Sequence, residues 1–126
     1  MARKRSVHLT DTELRLMQIL WEKGRATVTE VVEALPKPPA VAYSTVLTTL
    51  RILETKGYLK HTKEGRAFIY RPAVARDDER QKAVGHLLRR FFDGSAEALM
   101  LNLLEREKVS AAEIQRLRRR IAKEDS

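Results

Sequence analysis

The sequence has no cysteine among its 126 residues, which excludes disulfide-stabilised folds, thiol catalysis and cysteine-bound metal. No apolar run approaches the roughly 20 residues that span a bilayer, and the basic start is not followed by the apolar stretch of a secretory signal. The three histidines, His8, His61 and His86, lie too far apart in sequence to suggest a metal site. We therefore expect a cytoplasmic protein with no metal, no cofactor and no membrane insertion.

Catalytic patterns are equally scarce. No serine lies in a nucleophile-elbow motif, no glycine-rich loop is present to cradle a phosphate, and no two carboxylates have a plausible acid-base partner. The sequence therefore favours a binding protein over an enzyme, and a hydrolase or transferase ranks last among the candidate functions.

An excess of basic residues is present, and it is concentrated in one part of the chain. The formal net charge is +8, of which residues 1–71 supply +6 (13 basic and 7 acidic side chains) and residues 72–126 supply +2 (12 and 10). This asymmetry favours a first half that meets a polyanion, although a basic surface that merely keeps the protein in solution would have the same composition.

Three helices are predicted in the first half. Capping boxes at residues 10–13 and 27–30 begin the first two helices, which stop at Gly24 and before Pro36. A third helix is predicted from about residue 42 to residue 56, because its apolar residues recur at helical spacing.

Two short strands are predicted after the third helix. Residues 58–62 and 67–71 are rich in β-branched and aromatic side chains, and they flank Lys63-Glu64-Gly65, where the glycine can take a positive φ. Phe68 and Tyr70 alternate onto one face and are predicted to form the core of this hairpin rather than to stack on bases. Three helices followed by a hairpin is the element order of a winged helix-turn-helix.

The part of the chain beyond Pro72 is predicted to form three more helices, the last opened by a capping box at residues 110–113. Their apolar stripes are too extensive for three short helices to bury among themselves. The stripes could lie back on the first domain or pair with a second copy of the chain, and the charged stretch at residues 76–80 favours pairing. His86 is predicted to be a partly buried polar residue, with a pH-sensing or metal-binding role as the alternative.

The predicted fold is mainly α with a small β-hairpin. Residues 1–72 form a winged helix DNA-binding domain and residues 73–126 a helical dimerisation domain. The residues predicted to form the dimer interface are Val84, Leu87, Leu88, Phe91, Leu99, Leu103, Leu104, Ile114, Leu117 and Ile121.

The third helix carries the functional prediction. With Val46, Leu50 and Leu53 buried, the opposite face presents small hydroxyl side chains and one arginine. Short hydroxyl side chains let a helix lie deep in the major groove, and arginine can reach guanine. The alternative is a solvated surface, but such surfaces more often carry Glu and Lys than a series of hydroxyl side chains. The residues predicted to face the bases are Tyr43, Ser44, Thr45, Thr48 and Arg51.

Basic residues near this helix are predicted to hold the DNA backbone. They are Lys60, Lys63 and Arg66 of the hairpin and Arg3, Lys4 and Arg5 of the N-terminus. Any one hairpin charge taken alone is better explained as a solvated strand residue, and the N-terminal segment could equally be a solvated tail. The alternative function is a winged-helix adaptor that docks a partner protein without sequence-specific DNA binding, and the +6 charge of residues 1–71 speaks against it.

The chain also resembles a known family. The segments LTDTELRLMQILWEKG, AYSTVLTTLRILETKGYL, GRAFIYRP and LMLNLLEREKVSAAEIQRLRRRI are similar to those of the penicillinase-repressor family, the BlaI/MecI/CopY-type transcriptional regulators. The resemblance implies a homodimer that binds a palindromic double-stranded DNA operator and represses transcription. It also implies a link to a membrane sensor-protease pathway.

Two positions and one absent motif distinguish the chain from the family pattern. The β-lactamase-type repressors are cleaved at an Asn-Phe bond, and the matching residues here are Asn102 and Leu103, so cleavage at this site is open and Leu103 is first of all an interface residue. The copper-responsive branch uses a cysteine-rich metal motif, which a chain without cysteine excludes. Ile52 stands where many relatives have an arginine, so operator contacts at that end of the helix are expected to differ.

Overall fold

The structure, a computed structural model, describes residues 9–37, 40–106 and 108–125. These residues divide into two compact units, one ending at Ala83 and the other beginning at Val84. The N-terminal Arg3, Lys4 and Arg5 lie outside the described residues. Within the part of the chain that is described, no helix is both long and apolar enough to cross a membrane.

The first unit begins with three helices, α1 (Asp11–Lys23), α2 (Val28–Ala34) and α3 (Tyr43–Thr55). Both predicted capping boxes are confirmed. In the first, the backbone N–H of Glu13 donates to Thr10 Oγ1 at 3.1 Å and the N–H of Thr10 donates to Glu13 Oε1 at 2.8 Å. Thr27 and Glu30 form the second box in the same way, so each helix starts where its free backbone donors are satisfied by side chains.

Three strands form one antiparallel sheet: β1 (Ala26–Thr27), β2 (Leu59–Glu64) and β3 (Ala67–Pro72), in the order β1-β3-β2. The hairpin β2–β3 was predicted, whereas β1 was not. A two-residue strand has no periodicity of its own, and β1 lies directly before the helix that its last residue caps.

The predicted hairpin turn at Lys63-Glu64-Gly65 is wrong in its length. Lys63 and Glu64 belong to β2, and the turn contains only Gly65 and Arg66. Gly65 has a φ of 62°, as predicted, and two-residue turns with positive φ match the twist of the strands that they join. The strands are therefore longer, and Lys63 lies directly opposite Phe68.

The core of the first unit lies between the three helices and the sheet. Val46, Leu50 and Leu53 are fully buried, which confirms the predicted inner stripe of α3. Tyr70 is buried as predicted, but Phe68 is 40% exposed and is not a core residue. Phe68 lies two residues nearer the turn than Tyr70, where its ring lines an open cleft.

The second unit contains the end of α4 (Arg76–Phe91) together with α5 (Ala96–Arg106) and α6 (Ala111–Asp125). Asp93 and Gly94 have positive φ and separate α4 from α5, at the predicted break. The Ser110 hydroxyl accepts a hydrogen bond from the N–H of Glu113 at 3.1 Å, which is the serine half of the third predicted capping box.

Candidate nucleic-acid interface

The outer face of α3 is exposed over its whole length. All five residues predicted to face DNA bases are exposed there, namely Tyr43, Ser44, Thr45, Thr48 and Arg51. The buried stripe on the opposite side fixes this orientation, because rotating the helix would bring hydroxyl groups into the core. The face is therefore set by packing and is open to a ligand as large as a nucleic acid.

Two threonine hydroxyls of α3 already donate hydrogen bonds within the helix. Thr49 and Thr55 donate hydrogen bonds to the carbonyls of Thr45 and Arg51, one turn earlier, at 2.8 and 3.0 Å. Such bonds use the hydroxyl proton and leave the methyl group and the oxygen lone pairs for outside contacts. Exposed Ile52 adds an apolar group of the kind that contacts thymine methyls.

The hairpin divides its basic residues between two faces. Side chains alternate along a strand, so His61 and Lys63 of β2 share one face with their cross-strand partners Tyr70 and Phe68. Lys60 lies on the opposite face, where its cross-strand partner is Arg71. Arg71 donates from Nη2 to the Thr62 hydroxyl at 3.2 Å.

The face of the hairpin that carries His61 is joined to α3 by hydrogen bonds. His61 Nδ1 lies 2.6 and 2.8 Å from the two carboxylate oxygens of Glu54. Lys63, on the same face, is thereby held on the side of the hairpin nearest the exposed face of α3. Lys60 is not.

Aromatic contacts pack this face further. The His61 ring meets the Phe68 ring edge-on, with centroids 5.3 Å apart, and it lies 5.5 Å from the Tyr70 ring. The Lys63 ammonium lies 5.8 Å from the centroid of Phe68. A partly exposed phenylalanine thus supports the lysine that was predicted to bind the DNA backbone.

A cleft of about 420 Å³ separates α3 from the tip of the hairpin. Arg51 and Tyr43 line it from α3, Arg66 and Phe68 line it from the hairpin, and residues 27–29 also contribute to its lining. Arg66 was predicted from its charge alone, and the structure brings it to the same cleft as Arg51. Two arginine residues therefore line one cleft, which is suited to an anionic ligand.

Sequence reasoning missed Glu54 and the electrostatic influence of Arg51 on the Tyr70 hydroxyl. Burial raises the pKa of the Tyr70 hydroxyl, the Glu54 carboxylate raises it further, and the Arg51 guanidinium opposes both. Tyr70 was identified only as an apolar core residue, because its alternation with Phe68 says nothing about the position of its hydroxyl group.

In the second unit, the residues predicted to form a dimer interface form exposed apolar stripes. Leu88, Leu99 and Ile114 are half-buried within the chain and the other seven are exposed. Asn102 and Leu103 lie on helical backbone in α5, with both side chains exposed. His86 is half-buried, as predicted. No group of three or more acidic, histidine or cysteine side chains that could hold a metal ion occurs among the described residues.

Comparison with known proteins identifies clear relatives. The profile described as penicillinase repressor matches residues 9–123. The chain is 33% identical over 114 residues to the penicillinase repressor of Bacillus licheniformis, covering 90% of this chain and 89% of the relative. It is 34% identical over 116 residues to the transcriptional regulator BlaI of Mycobacterium tuberculosis, covering 90% of this chain and 83% of the relative.

A solved structure shares the fold of the first unit. The solution structure of the DNA-binding domain of the repressor BlaI matches this chain with a TM-score of 0.52 at 33% identity. The match covers 62% of this chain and 93% of that domain.

Proposed function

The chain belongs to the penicillinase repressor family of DNA-binding repressors, and we propose that it places α3 in the major groove of an operator. The observation that carries this proposal is the exposed face of α3, which combines hydroxyl side chains with Arg51. A guanidinium can bind the O6 and N7 acceptors of guanine together, and short hydroxyl side chains bind phosphates and bases at close approach. Tyr43, Ser44, Thr45 and Thr48 would complete this base-facing surface.

Lys63 and Arg66 supply the backbone contacts in this arrangement. Both lie in the part of the hairpin nearest the turn, and Arg66 borders the same cleft as Arg51. Contacts to phosphate fix the register of a protein on the duplex and carry no sequence information. Lys60 is a weaker candidate for a backbone contact, because it lies on the other face of the hairpin. For the N-terminal Arg3, Lys4 and Arg5, which lie outside the described residues, the proposal rests on their charge alone.

We further propose that the protein acts as a homodimer on a palindromic operator. The second unit exposes continuous apolar stripes, which include Phe91, Leu103 and Leu117. A continuous apolar surface of this kind, unlike single exposed leucines, is suited to pairing with the same helices of a second copy. In this division of the chain, residues 1–72 bind DNA and residues 73–126 dimerise. Two-fold symmetry then places the two α3 helices in major grooves about one helical turn apart, or a small multiple of it.

Release from the operator would involve the second unit. The bond between Asn102 and Leu103, at the position cleaved in the β-lactamase-type repressors, lies in the middle of α5. A protease would need α5 to unwind locally before it could cleave there, so we propose dimer contact as the resting role of Leu103. A membrane sensor-protease would be the upstream partner, and the chain itself would act by binding, without catalysis, in the cytoplasm where the operator lies.

The experiment that tests the proposal measures sequence discrimination. An operator duplex is selected from a random-sequence library with the wild-type chain, and dissociation constants are measured for that duplex and for random DNA across a salt series. Arg51→Ala is expected to weaken operator binding about ten- to a hundredfold, and binding to random DNA far less. Arg15→Ala, which removes the same charge from an exposed position on α1, is the control.

Two results would contradict the proposal. A protein-docking adaptor would show no steep linear fall of log affinity with log salt concentration. An equal loss on operator and random DNA from Arg51→Ala would remove the base-reading role of Arg51.

A further inference from the structure

The connection between the sheet and α4 is short and is attached to the first unit. Residues 73–75 alone join β3 to α4. The backbone N–H of Ala73 donates to the carbonyl of Tyr58 at 2.8 Å, and the Val74 side chain packs against the core cluster of the first unit. The start of α4 is therefore bound to the core and not only to the strand that precedes it.

Trp21 of α1 completes this attachment. Its indole Nε1–H donates to the carbonyl of Val74 at 3.0 Å, two residues before α4 begins. The guanidinium carbon of Arg76, the first residue of α4, lies 5.8 Å from the centroid of the Trp21 ring, within the range of cation–π attraction. One half-buried side chain of α1 therefore contacts both the connection and the first turn of α4.

The side of α4 that faces α1 is mostly charged, so it is poorly suited to attachment by apolar burial. Arg76, Glu79, Arg80 and Ala83 recur at helical spacing and, together with side chains of α1, line a cavity of about 660 Å³. The apolar stripe of α4 lies beyond Ala83, in the second unit. Where a cavity separates two helices, their side chains do not interlock. The hydrogen bond and the ring contact of Trp21 are therefore the contacts best placed to hold α4 against α1.

The helix α4 also continues into the second unit. It runs from Arg76 to Phe91, and the division between the two units falls within it, after Ala83. A helix of 16 residues is about 24 Å long, so a tilt of about 10° at its first turn moves its last turn by about 4 Å. That displacement exceeds the rise of about 3.4 Å between successive base pairs. The direction in which α4 leaves the first unit thus matters to a dimer at the scale of a single base pair.

We propose that Trp21 is a positioning residue that fixes the direction of α4 and thereby sets the spacing of operator half-sites that the dimer accepts. This inference rests on the proposed function, in which the second units pair and each first unit binds one half-site. The path from one α3 helix to the other then runs through both copies of α4. A fixed start of α4 restricts the dimer to one spacing, because any other spacing would require the Trp21 contacts to break or the DNA to deform.

The test measures how strictly the full-length chain discriminates between half-site spacings. Dissociation constants are measured for the library-selected operator duplex, for the same duplex with base pairs inserted between its half-sites, and for a duplex with a single half-site. Trp21→Phe keeps an aromatic ring beside the core and removes the N–H donor. We expect it to lower the ratio of the dissociation constants for inserted and original spacing about three- to tenfold. Binding to the single half-site should change by less than about twofold, because α3 and the hairpin are untouched.

Two further variants serve as controls. Val32→Ala truncates a half-buried side chain that packs against the core from α2, and it tests whether a loss of stability is enough to relax the spacing. We expect it to lower the thermal unfolding temperature and to leave the spacing ratio at the wild-type value. Insertion of a Gly-Gly pair between Ala75 and Arg76 frees the start of α4 directly. It is expected to lower the ratio at least as far as Trp21→Phe does, and it keeps the test decisive even if Trp21→Phe fails to fold.

The outcomes separate this inference from the proposed function. If Trp21→Phe discriminates between spacings as strictly as the wild type, or if the glycine insertion has no effect, the positioning role is wrong and the repressor mechanism stands. If Val32→Ala relaxes the spacing as much as Trp21→Phe does, stability is the cause and the inference is also wrong. If the wild type binds two half-sites no more tightly than one, the proposed homodimer on a palindromic operator has failed first, and this inference fails with it.

Discussion

Glu13 of α1 and Lys56 at the end of α3 form an ion pair that is largely withdrawn from solvent. Lys56 Nζ donates to both carboxylate oxygens of Glu13, at 2.7 and 3.0 Å, and Glu13 is only 4% exposed. The same carboxylate also accepts from the backbone N–H of Thr10. One side chain therefore caps α1 and fastens it to the end of the helix that we propose enters DNA.

Replacing Glu13 with glutamine should destabilise the first unit. Glu13→Gln keeps the size of the side chain but removes the charge that compensates the partly buried ammonium of Lys56. We expect a loss of about 1–3 kcal/mol in the free energy of unfolding, measured by urea denaturation. Glu33→Gln, at an exposed position on α2, should change stability far less, and equal effects of the two substitutions would contradict the structural role of Glu13.

Acid should weaken the fold through the same residue. Burial alone would raise the pKa of Glu13, but the hydrogen bonds from Lys56 and Thr10 outweigh it and lower the pKa. A group with a lowered pKa in the folded state contributes its stability above its unfolded pKa of about 4.3 and loses it as pH falls through the folded value. Unfolding free energies of the wild type and Glu13→Gln should therefore converge at acid pH. A constant difference between pH 7 and the acid limit would show that the ionised carboxylate is not the cause.

Lys63→Ala should weaken binding to all DNA sequences alike. A lysine that contacts phosphate contributes through counterion release, so its removal should reduce the slope of log affinity against log salt by about 0.9 per protomer, or about 1.8 per dimer. Fluorescence anisotropy with operator and random duplexes over a salt series measures both slopes. Lys23→Ala removes a lysine from an exposed position on α1 and should leave the slope unchanged. A loss confined to the operator would instead assign Lys63 to base recognition.

Leu117→Asp should convert the protein to a monomer. Leu117 is 55% exposed in the single chain and lies on the α6 stripe with Ile114 and Ile121, so a charge there would be buried in the proposed dimer. Sedimentation velocity is expected to show a dimer for the wild type and a monomer for the variant, with weaker operator binding because the two half-sites are no longer linked. Gln115→Asp places the same charge away from the stripe and should remain dimeric. A wild-type chain that sediments as a monomer would remove the basis of the prediction.

Most of the fold followed from local features of the sequence. The capping boxes, the glycines after helices and the helical spacing of Val46, Leu50 and Leu53 each act over a few residues, and each was confirmed. Strand β1 could not be predicted in this way, because Ala26 and Thr27 become a strand only by pairing with β3. The exposure of Phe68 also depends on how far the helices cover the hairpin, which strand alternation does not reveal.

The sequence predicted which residues lie at the candidate site, but it did not predict which of their side chains contact each other. Exposed hydroxyls and basic residues could be assigned to α3 and the hairpin from helical and strand periodicity. The Glu54–His61 pair joins residues from different elements, so it depends on how α3 packs against the sheet. The same packing separates Lys63 from Lys60, which have the same charge and lie three positions apart in the sequence.

The register of the hairpin restricts how its length can change. Lys63 and His61 point to the side of α3 because each is paired with a fixed residue of β3. Inserting or deleting one residue in β2 before Lys60 would turn the side chains beyond that point to the other face, so that Lys63 and Lys60 would exchange faces. A longer or shorter hairpin that keeps its DNA contacts must therefore gain or lose residues as cross-strand pairs, one from each strand beside the turn. Its reach along a duplex would then vary in steps of about 3.4 Å, close to the spacing of successive base pairs.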